Sequence, residues 1–281
     1  MTAAIAIVAV GFVAVFGLLI GSFLNVVVYR VPAGRSIVSP PSACGSCGTE
    51  IKPYDNIPVL SWLFLRGKCR SCRSSISARY PLVEAATGVA FAFVAWWFWA
   101  GPGAAHPVGT PATVAAVLVV VAFLDLAAVS IALALIDLDA HRLPNAIVLP
   151  SYAVGVVLLG ASALLTGDPG ALVRAVVGAA GLFALYLILA MIYQGGMGFG
   201  DVKLAGVLGL FLGYLGWGAL VVGAFAAFLL GGLFAIALLV ARRARRGTGI
   251  PFGPWMLAGA WIGVLAGNTV WGAYLALLGI A

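Results

Sequence analysis

Charged side chains are scarce in this chain of 281 residues. Lys and Arg number 15 and Asp and Glu number 8, which together make 8% of the sequence, against about 25% in a typical soluble domain. A soluble fold could not cover its surface with so few charges, and the mean hydropathy of +1.17 agrees. The composition excludes a disordered chain, a coiled coil and a small secreted disulfide scaffold. It indicates an all-α integral membrane protein with several spans.

Long apolar runs define the spans, because a membrane-crossing helix needs about 20 apolar residues. The sequence predicts about eight transmembrane helices, at 3–29, 82–100, 112–136, 146–166, 171–193, 204–217, 219–241 and 255–280. The sixth is short and rich in glycine, so its ends are the least defined. The first has no basic residue before it and no cleavage signal after it, which favours a retained anchor over a signal peptide.

The basic residues lie in alternate connections between these helices. Of the 15 Lys and Arg residues, only Arg174 lies outside them. The positive-inside rule makes those connections cytoplasmic and places both termini outside. A net charge of +7 in a membrane chain reports orientation, so we expect the lipid bilayer and no nucleic acid as a partner.

All four cysteines lie in 30–81, the only long polar stretch. They form a C-x2-C pair, an interval of twenty-one residues and a second C-x2-C pair. Two such pairs offer four thiolates to one tetrahedral Zn²⁺ ion, which leaves no open position and predicts a structural site. The predicted metal ligands are Cys44, Cys47, Cys69 and Cys72. Two disulfides are the alternative, disfavoured because this loop is predicted to face the reducing cytoplasm.

Two aspartates stand at the cytoplasmic end of the third predicted helix. Residues i and i+2 of a helix point to nearly opposite sides, so at most one of Asp137 and Asp139 faces a given site. Asp137 lies closer to the membrane. Asp125 lies twelve residues earlier and is too deep to join it, so we expect a buried residue with a polar neighbour.

A further carboxylate, Asp201, follows a glycine-rich stretch at 195–200. These glycines permit positive φ and close approach of another chain, and Asp201 begins the next helix. Asp137 and Asp201 both lie at the cytoplasmic side, so the two helices could bring them together. Two close carboxylates share one proton, as in an aspartic peptidase. Two unrelated loop-end charges remain the alternative.

Two segments then resemble a known family. GFGDVK at 198–203 and IDLDAHRLPN at 136–145 are similar to motifs of the type IV prepilin peptidase and N-methyltransferase family, which are GxGD-type intramembrane aspartic peptidases. Further similarity lies in GSFLNVVVYR at 21–30, NIPVLSW at 56–62, RYPLVE at 79–84 and PFGP at 251–254. The resemblance implies that Asp137 and Asp201 are catalytic, with Gly198, Gly200 and Lys203 supporting them.

The tetra-Cys stretch resembles the long, bifunctional form of this family. That form implies cleavage of prepilin or pseudopilin leaders at the cytoplasmic face of the bacterial inner membrane. It also implies methylation of the new N-terminal amine by S-adenosylmethionine, whose site is assigned to no residue. The expected division is a first transmembrane helix at 1–29, a cytoplasmic zinc domain at 30–81 and a seven-helix peptidase core at 82–281. Asn145 departs from the family pattern, where many members carry Asp.

Two other functions fit part of the pattern. A transporter or ion channel also carries intramembrane acids and glycine-broken helices, but it predicts an internal repeat and acids near the midplane. A zinc adaptor that docks partners at the membrane would leave the Gly-Asp motif without a task.

Overall fold

The computed structural model describes residues 3–104, 107–192, 197–241 and 251–280. Within these ranges the chain is helical, with no β-strand. The helices are α1 Ala3–Arg30, α2 Leu60–Phe64, α3 Arg79–Trp99, α4 Thr110–Ala140, α5 Asn145–Thr166, α6 Pro169–Ile192, α7 Phe199–Leu215, α8 Trp217–Val240 and α9 Gly253–Leu277.

Each of the eight predicted apolar runs corresponds to one long helix, which confirms the all-α membrane fold. In the described part of the chain, 7 helices are long and apolar enough to cross a membrane. The remaining one is α7, which has 17 residues and is about 25 Å long at 1.5 Å per residue. Only α2 was not anticipated as a helix, because it is a single short turn within the cysteine-bearing loop.

By its packing the chain divides into two compact units. The first comprises residues 1–106 and 123–135, and the second comprises residues 107–122 and 136–281. In the first unit α1 and α3 run antiparallel in close backbone contact. A β-carbon placed on Gly17 would lie 2.9 Å from Cα of Gly88, and one on Gly21 would lie 2.6 Å from Cα of Glu84. Glycine at these two positions of α1 therefore permits the approach.

The second unit is built around α7. Eleven of its 17 residues are buried, because α5, α6, α8 and α9 all pack against it. Gly155 of α5 faces Phe211, Gly178 of α6 faces Gly209, and Gly223 of α8 faces Leu212. A helix surrounded in this way is apolar on every side, as the sequence of α7 is from Leu204 to Gly213.

The C-terminal end of α4 extends beyond the predicted limit at residue 136. The helix ends at Ala140, and His141 takes the left-handed conformation with φ 52° and ψ 43° while its N–H donates to the carbonyl of Asp137. Pro144 then provides the extended N-cap of α5. This short turn holds both Asp137 and Asp139 within the helix, so their directions are set by helical geometry.

Candidate active site and candidate metal centre

Asp137 lies in the last turn of α4 and faces the interior of the second unit. Its side chain is buried, with 4% of the residue exposed. Oδ2 accepts a hydrogen bond of 3.0 Å from the N–H of Gly253, the first residue of α9. Asp139, two residues later, is exposed. The two aspartates therefore have different environments, as the i, i+2 spacing predicted.

Asp201 is the third residue of α7 and is half-buried. Its Oδ2 accepts a hydrogen bond of 2.9 Å from the N–H of Gly198, the N-cap residue of the helix. The carboxylate thus satisfies one of the unpaired N–H groups at the helix start and meets the positive end of the helix dipole. Its orientation is fixed by the backbone of its own motif.

The structure brings Asp137 and Asp201 near each other around Leu143. A β-carbon on Gly200 would lie 2.9 Å from Cβ of Leu143, and one on Gly253 would lie 3.3 Å from its Cδ2. Leu143 therefore packs between the glycine beside Asp201 and the glycine that binds Asp137. Two carboxylates that these contacts bring near each other can divide the roles of acid and base.

The three residues predicted to support this pair have different environments. Gly198 has φ −78°, and Gly200 is not among the described residues with positive φ. The predicted use of positive φ is therefore wrong for these two residues. Close approach applies to Gly200, which packs on Leu143, whereas a β-carbon on Gly198 would meet nothing nearer than 3.4 Å. Gly195 and Gly196 lie outside the described residues. Lys203 donates to Oδ1 of Asn145 at 2.9 Å and lies 4.7 Å from the ring centroid of Phe199.

Sequence reasoning missed two residues beside the carboxylates, Gly253 and Leu143. Gly253 was noted only as part of the entry to the last helix, although its N–H binds Asp137 across more than a hundred residues of chain. A β-carbon there would lie 2.7 Å from Oδ2 of Asp137, which leaves room for glycine alone. The sequence did show a glycine at the start of the last helix, directly after Phe252. That Gly253 binds Asp137, however, could not be inferred from the local sequence pattern.

The four cysteines lie together in the first unit. Their Sγ atoms all lie within 4.8 Å of one another, an arrangement that could hold a metal ion. The expected grouping is therefore present. No disulfide joins the four cysteines, and four thiols at this range are the donor set that a tetrahedral soft-metal site requires.

Two tight turns, here called the knuckles (residues 42–51 and 67–76), present these thiols. In the first, Cys44 N–H donates to Thr49 O at 2.9 Å and Ile51 N–H donates to Ser42 O at 2.8 Å. In the second, Cys69 N–H donates to Ser74 O at 2.9 Å and Ile76 N–H donates to Gly67 O at 2.7 Å. The same bonds recur at the same spacing, so each knuckle is one copy of a single turn.

Local donors favour the thiolate form at Cys44 and Cys72, whereas burial and the neighbouring thiols raise the pKa of Cys69. The backbone N–H groups of Cys47 and Ser46 lower the pKa of Cys44 to about 6, and the hydroxyl of Ser74 lowers the pKa of Cys72. A thiolate is the form that binds a metal. Arg70 of the second knuckle donates from Nε to Oδ2 of Asp55 at 2.8 Å, and this guanidinium lowers the pKa of Asp55.

Glu84 and Asn25 make hydrogen bonds within the first unit. Glu84 is 9% exposed, and its Oε2 accepts a 2.6 Å bond from the N–H of Val59. Asn25 donates from Nδ2 to the carbonyl of Tyr80 at 3.2 Å. The first contact ties α3 to the residue before α2, and the second ties α1 to α3. Asp125 differs from expectation, because its Oδ2 is buried with no hydrogen-bond partner in the described part of the chain.

Comparison with known proteins gives two family matches that together span most of the chain. Residues 15–98 match the bacterial peptidase A24 N-terminal domain, and residues 124–236 match the type IV leader peptidase family. The first range contains the four cysteines and Glu84, and the second contains Asp137 and Asp201. No solved structure matches the chain with significance.

Curated relatives align almost end to end. A prepilin leader peptidase/N-methyltransferase of Pseudomonas aeruginosa is 36% identical over 287 residues, covering 94% of this chain and 92% of the relative. Proteins of the same name from Neisseria gonorrhoeae and Stutzerimonas stutzeri are 36% and 34% identical, and they cover 94% and 93% of this chain, and 93% and 92% of their own lengths.

The fold and the site together define a multi-pass helical membrane protein with a carboxylate pair in one unit and a four-cysteine group in the other. The chain belongs to the type IV leader peptidase family. The resemblance inferred from its motifs is confirmed.

Proposed function

We propose that this chain is a prepilin leader peptidase that uses Asp137 and Asp201, and that it methylates the N-terminal amine that cleavage exposes. The proposal rests on the position of these two carboxylates near each other in the second unit, where each accepts a hydrogen bond from a glycine N–H. Membership in the family supports the reaction class. No observation in the described residues favours a transporter or an ion channel.

The chemistry requires one carboxylate in each protonation state. The ionised carboxylate takes a proton from water as the oxygen attacks the scissile carbonyl carbon, and the protonated one gives its proton to the carbonyl oxygen. The C–N bond then breaks as a proton passes to the leaving amine nitrogen. The products are the free leader carboxylate and a new N-terminal amine. Such proton transfers typically contribute 10²–10⁴-fold to the rate.

The helix ends indicate which aspartate takes which part. Asp201 lies in the first turn of α7, where the positive end of the helix dipole favours a carboxylate. Asp137 lies in the last turn of α4, where the negative end of the dipole disfavours one. The positive end of α9 at Gly253 opposes this effect, so the helix dipoles still favour a carboxylate less at Asp137 than at Asp201. Asp201 is accordingly the group that accepts the proton of water, and Asp137 is the group that protonates the carbonyl.

The four-cysteine group fits a structural Zn²⁺ ion. The thiols lie on two preformed knuckles within 4.8 Å of one another, and four thiolate ligands leave no position for a reacting water. Few residues of the connection from α1 to α3 are buried. Metal binding by Cys44, Cys47, Cys69 and Cys72 would therefore supply folding free energy to this segment.

Methylation is the second proposed activity, supported by the N-methyltransferase name of the relatives. S-adenosylmethionine, when bound, supplies a methyl group from its sulfonium centre to the new amine nitrogen, which loses a proton. We propose the tetra-Cys domain at 30–81 as the part associated with this activity, between the first transmembrane helix at 1–29 and the peptidase core at 82–281.

The setting is a bacterial inner membrane, crossed several times. The concentration of Lys and Arg in alternate connections supports a cytoplasmic position for 30–81 and for the connections that hold Arg142 and Lys203. Both termini would then lie outside. In this orientation the carboxylate pair faces the cytoplasm, and the prepilin or pseudopilin would present its leader there.

The test is cleavage of a prepilin by the full-length protein in nanodiscs. Asp137→Asn and Asp201→Asn should each lower the cleavage rate at least 100-fold, because each removes a proton-transfer group. Asp139→Asn is the matched control, because Asp139 is close to Asp137 in sequence but its exposed side chain points away from the site. It should retain wild-type cleavage. Retained cleavage in either of the first two variants contradicts the assignment of the pair.

A further inference from the structure

The antiparallel register of α6 and α7 brings a buried tyrosine to the level of Asp201. A β-carbon on Gly209 would lie 2.7 Å from the carbonyl carbon of Gly178, and one on Gly213 would lie 2.9 Å from that of Arg174. Each step along α7 is therefore matched by an equal step back along α6. Eight residues before Gly209 stands Asp201, and eight residues after Gly178 stands Tyr186 (209 − 8 and 178 + 8).

Tyr186 also shares the interior face that leads to Asp201. It lines a space together with Leu182 of α6 and with Ala205 and Leu208 of α7. Ala205 and Leu208 follow Asp201 by four and seven residues, so the three lie on one face of α7. Tyr186 is buried, with 2% of the residue exposed.

The ring of Tyr186 reaches the other half of the site as well. Its centroid lies 6.2 Å from that of Phe252 and 5.2 Å from that of Phe228. Phe252 immediately precedes Gly253, whose N–H binds Asp137. The side chain of Tyr186 is thus near the start of α7 and packs on the residue before α9. These two helices position the carboxylates.

We propose that Tyr186 is a positioning residue for the carboxylate pair. Its O–H makes no hydrogen bond to Asp201 in the described structure; it donates to Asp201 in the substrate complex, where catalytic hydrogen bonds tighten, while its ring supports the turn at Phe252. This inference rests on the proposed peptidase function. In a dry interior a donor to a carboxylate is stronger than in water. A donor at Asp201 would restrain the group that takes the proton from water, and it would act on the chemical step more than on substrate binding.

The test compares variants that lack only a hydroxyl. Tyr186→Phe keeps the ring that packs on Phe228 and Phe252, and it should lower kcat of prepilin cleavage about 10- to 100-fold with KM within about twofold, in line with the loss of one preorganised donor. Tyr214→Phe is the matched control, because Tyr214 lies in the last turns of α7 and donates to Oγ of Ser162 at 2.9 Å. It should leave kcat unchanged.

The experiment also measures the Tm of Tyr186→Phe and the cleavage activity of Asp201→Asn. The inference is overturned if Tyr186→Phe keeps kcat within about twofold of wild type. It is also overturned if Tyr186→Phe lowers Tm and at the same time raises KM by as large a factor as it lowers kcat. That pattern would assign Tyr186 to packing alone. If Asp201→Asn is inactive and Tyr186→Phe is unaffected, only the proposed role of Tyr186 is rejected. If Asp201→Asn is active, the proposed peptidase function itself is rejected.

Discussion

Backbone N–H groups, not side chains, hold both candidate catalytic carboxylates. Asp137 accepts from Gly253 and Asp201 accepts from Gly198. A backbone donor cannot turn away as a long side chain can, and it costs no side-chain entropy to keep in place. Each of these donors is a glycine, and at Gly253 a β-carbon would collide with the carboxylate that it binds. Two elements distant in sequence therefore restrain the pair tightly.

The restraint on the carboxylates can be tested by adding a single methyl group at Gly200. Gly200→Ala would place a β-carbon 2.9 Å from Cβ and 3.4 Å from the carbonyl oxygen of Leu143. Overpacking of this kind costs about 1–3 kcal/mol, and relief by shifting the start of α7 would displace Asp201. We expect prepilin cleavage to fall about tenfold or more, measured as kcat/KM in nanodiscs.

Gly160→Ala provides the comparison for that variant. A β-carbon on Gly160 meets nothing within 4 Å, so this change in α5 adds the same methyl group without a collision. Its cleavage rate should equal that of wild type. Equal loss in both variants would mean that the effect of Gly200→Ala does not arise from Leu143.

Local pattern identified the carboxylates but not what surrounds them. The choice of Asp137 over Asp139 followed from helical geometry and from the family motif, and their burial agrees with it. Tyr186 lies in no motif, and Leu143 lies in the 136–145 segment without a role that the segment assigns. Their positions depend on contacts between helices far apart in sequence, which a pattern of hydrophobicity does not encode. The same limit applies to Asp125, whose expected polar neighbour is absent at Oδ2 among the described residues.

At the scale of helices, apolar runs located the long elements but misplaced two of their ends by more than three residues. The predicted third helix stopped at 136 and the predicted sixth began at 204, whereas α4 ends at Ala140 and α7 begins at Phe199. Both errors have one cause. A hydropathy run stops at the first charged residue, which is Asp137 for the third run and Lys203 for the sixth. The hydrogen-bonded helix continues to the turn at His141 in α4 and to the N-cap Gly198 in α7. The two carboxylates lie within these extra turns.

Packing of α6 against α7 depends on glycine and yields a prediction at this scale. Gly178→Ala would drive a β-carbon into the carbonyl oxygen of Gly209, so the helices must separate. We expect a loss of about 1–3 kcal/mol in stability, seen as a lower Tm, together with reduced cleavage because α7 carries Asp201.

Gly181→Ala, one turn further along α6, is the control for this packing variant. A β-carbon there meets nothing within 4 Å, so Tm and cleavage should stay at wild-type values or rise slightly from the gain in helix propensity. A tolerated Gly178→Ala would show that α6 can move away from α7 without loss.

At the scale of the whole molecule, the two proposed activities depend on different units of the chain. The cysteines lie in residues 1–106, and both carboxylates lie in residues 136–281. We expect Cys69→Ser to release zinc and to abolish methylation, because Cys69 is the buried member of the four proposed ligands. Asp201→Asn should abolish cleavage and retain one zinc ion per chain, measured by metal analysis of the purified protein.

The outcome that contradicts this separation is equally definite. An equimolar loss of zinc on Asp201→Asn would make the metal centre dependent on the carboxylate site. The methylation assay should use a prepilin already freed of its leader, so that loss of cleavage does not itself prevent methyl transfer.

The repetition of one turn in the two knuckles has a consequence for the lifetime of a bound metal. Each knuckle contributes two sulfur ligands from one rigid hairpin closed by the same backbone bonds. A metal ion so chelated cannot dissociate by giving up its ligands singly at random, because a released thiolate remains beside its former site. Escape requires one hairpin to swing away as a whole. Slow exchange of the ion with free metal would then be a kinetic property of the turns, separate from the affinity of the four sulfurs.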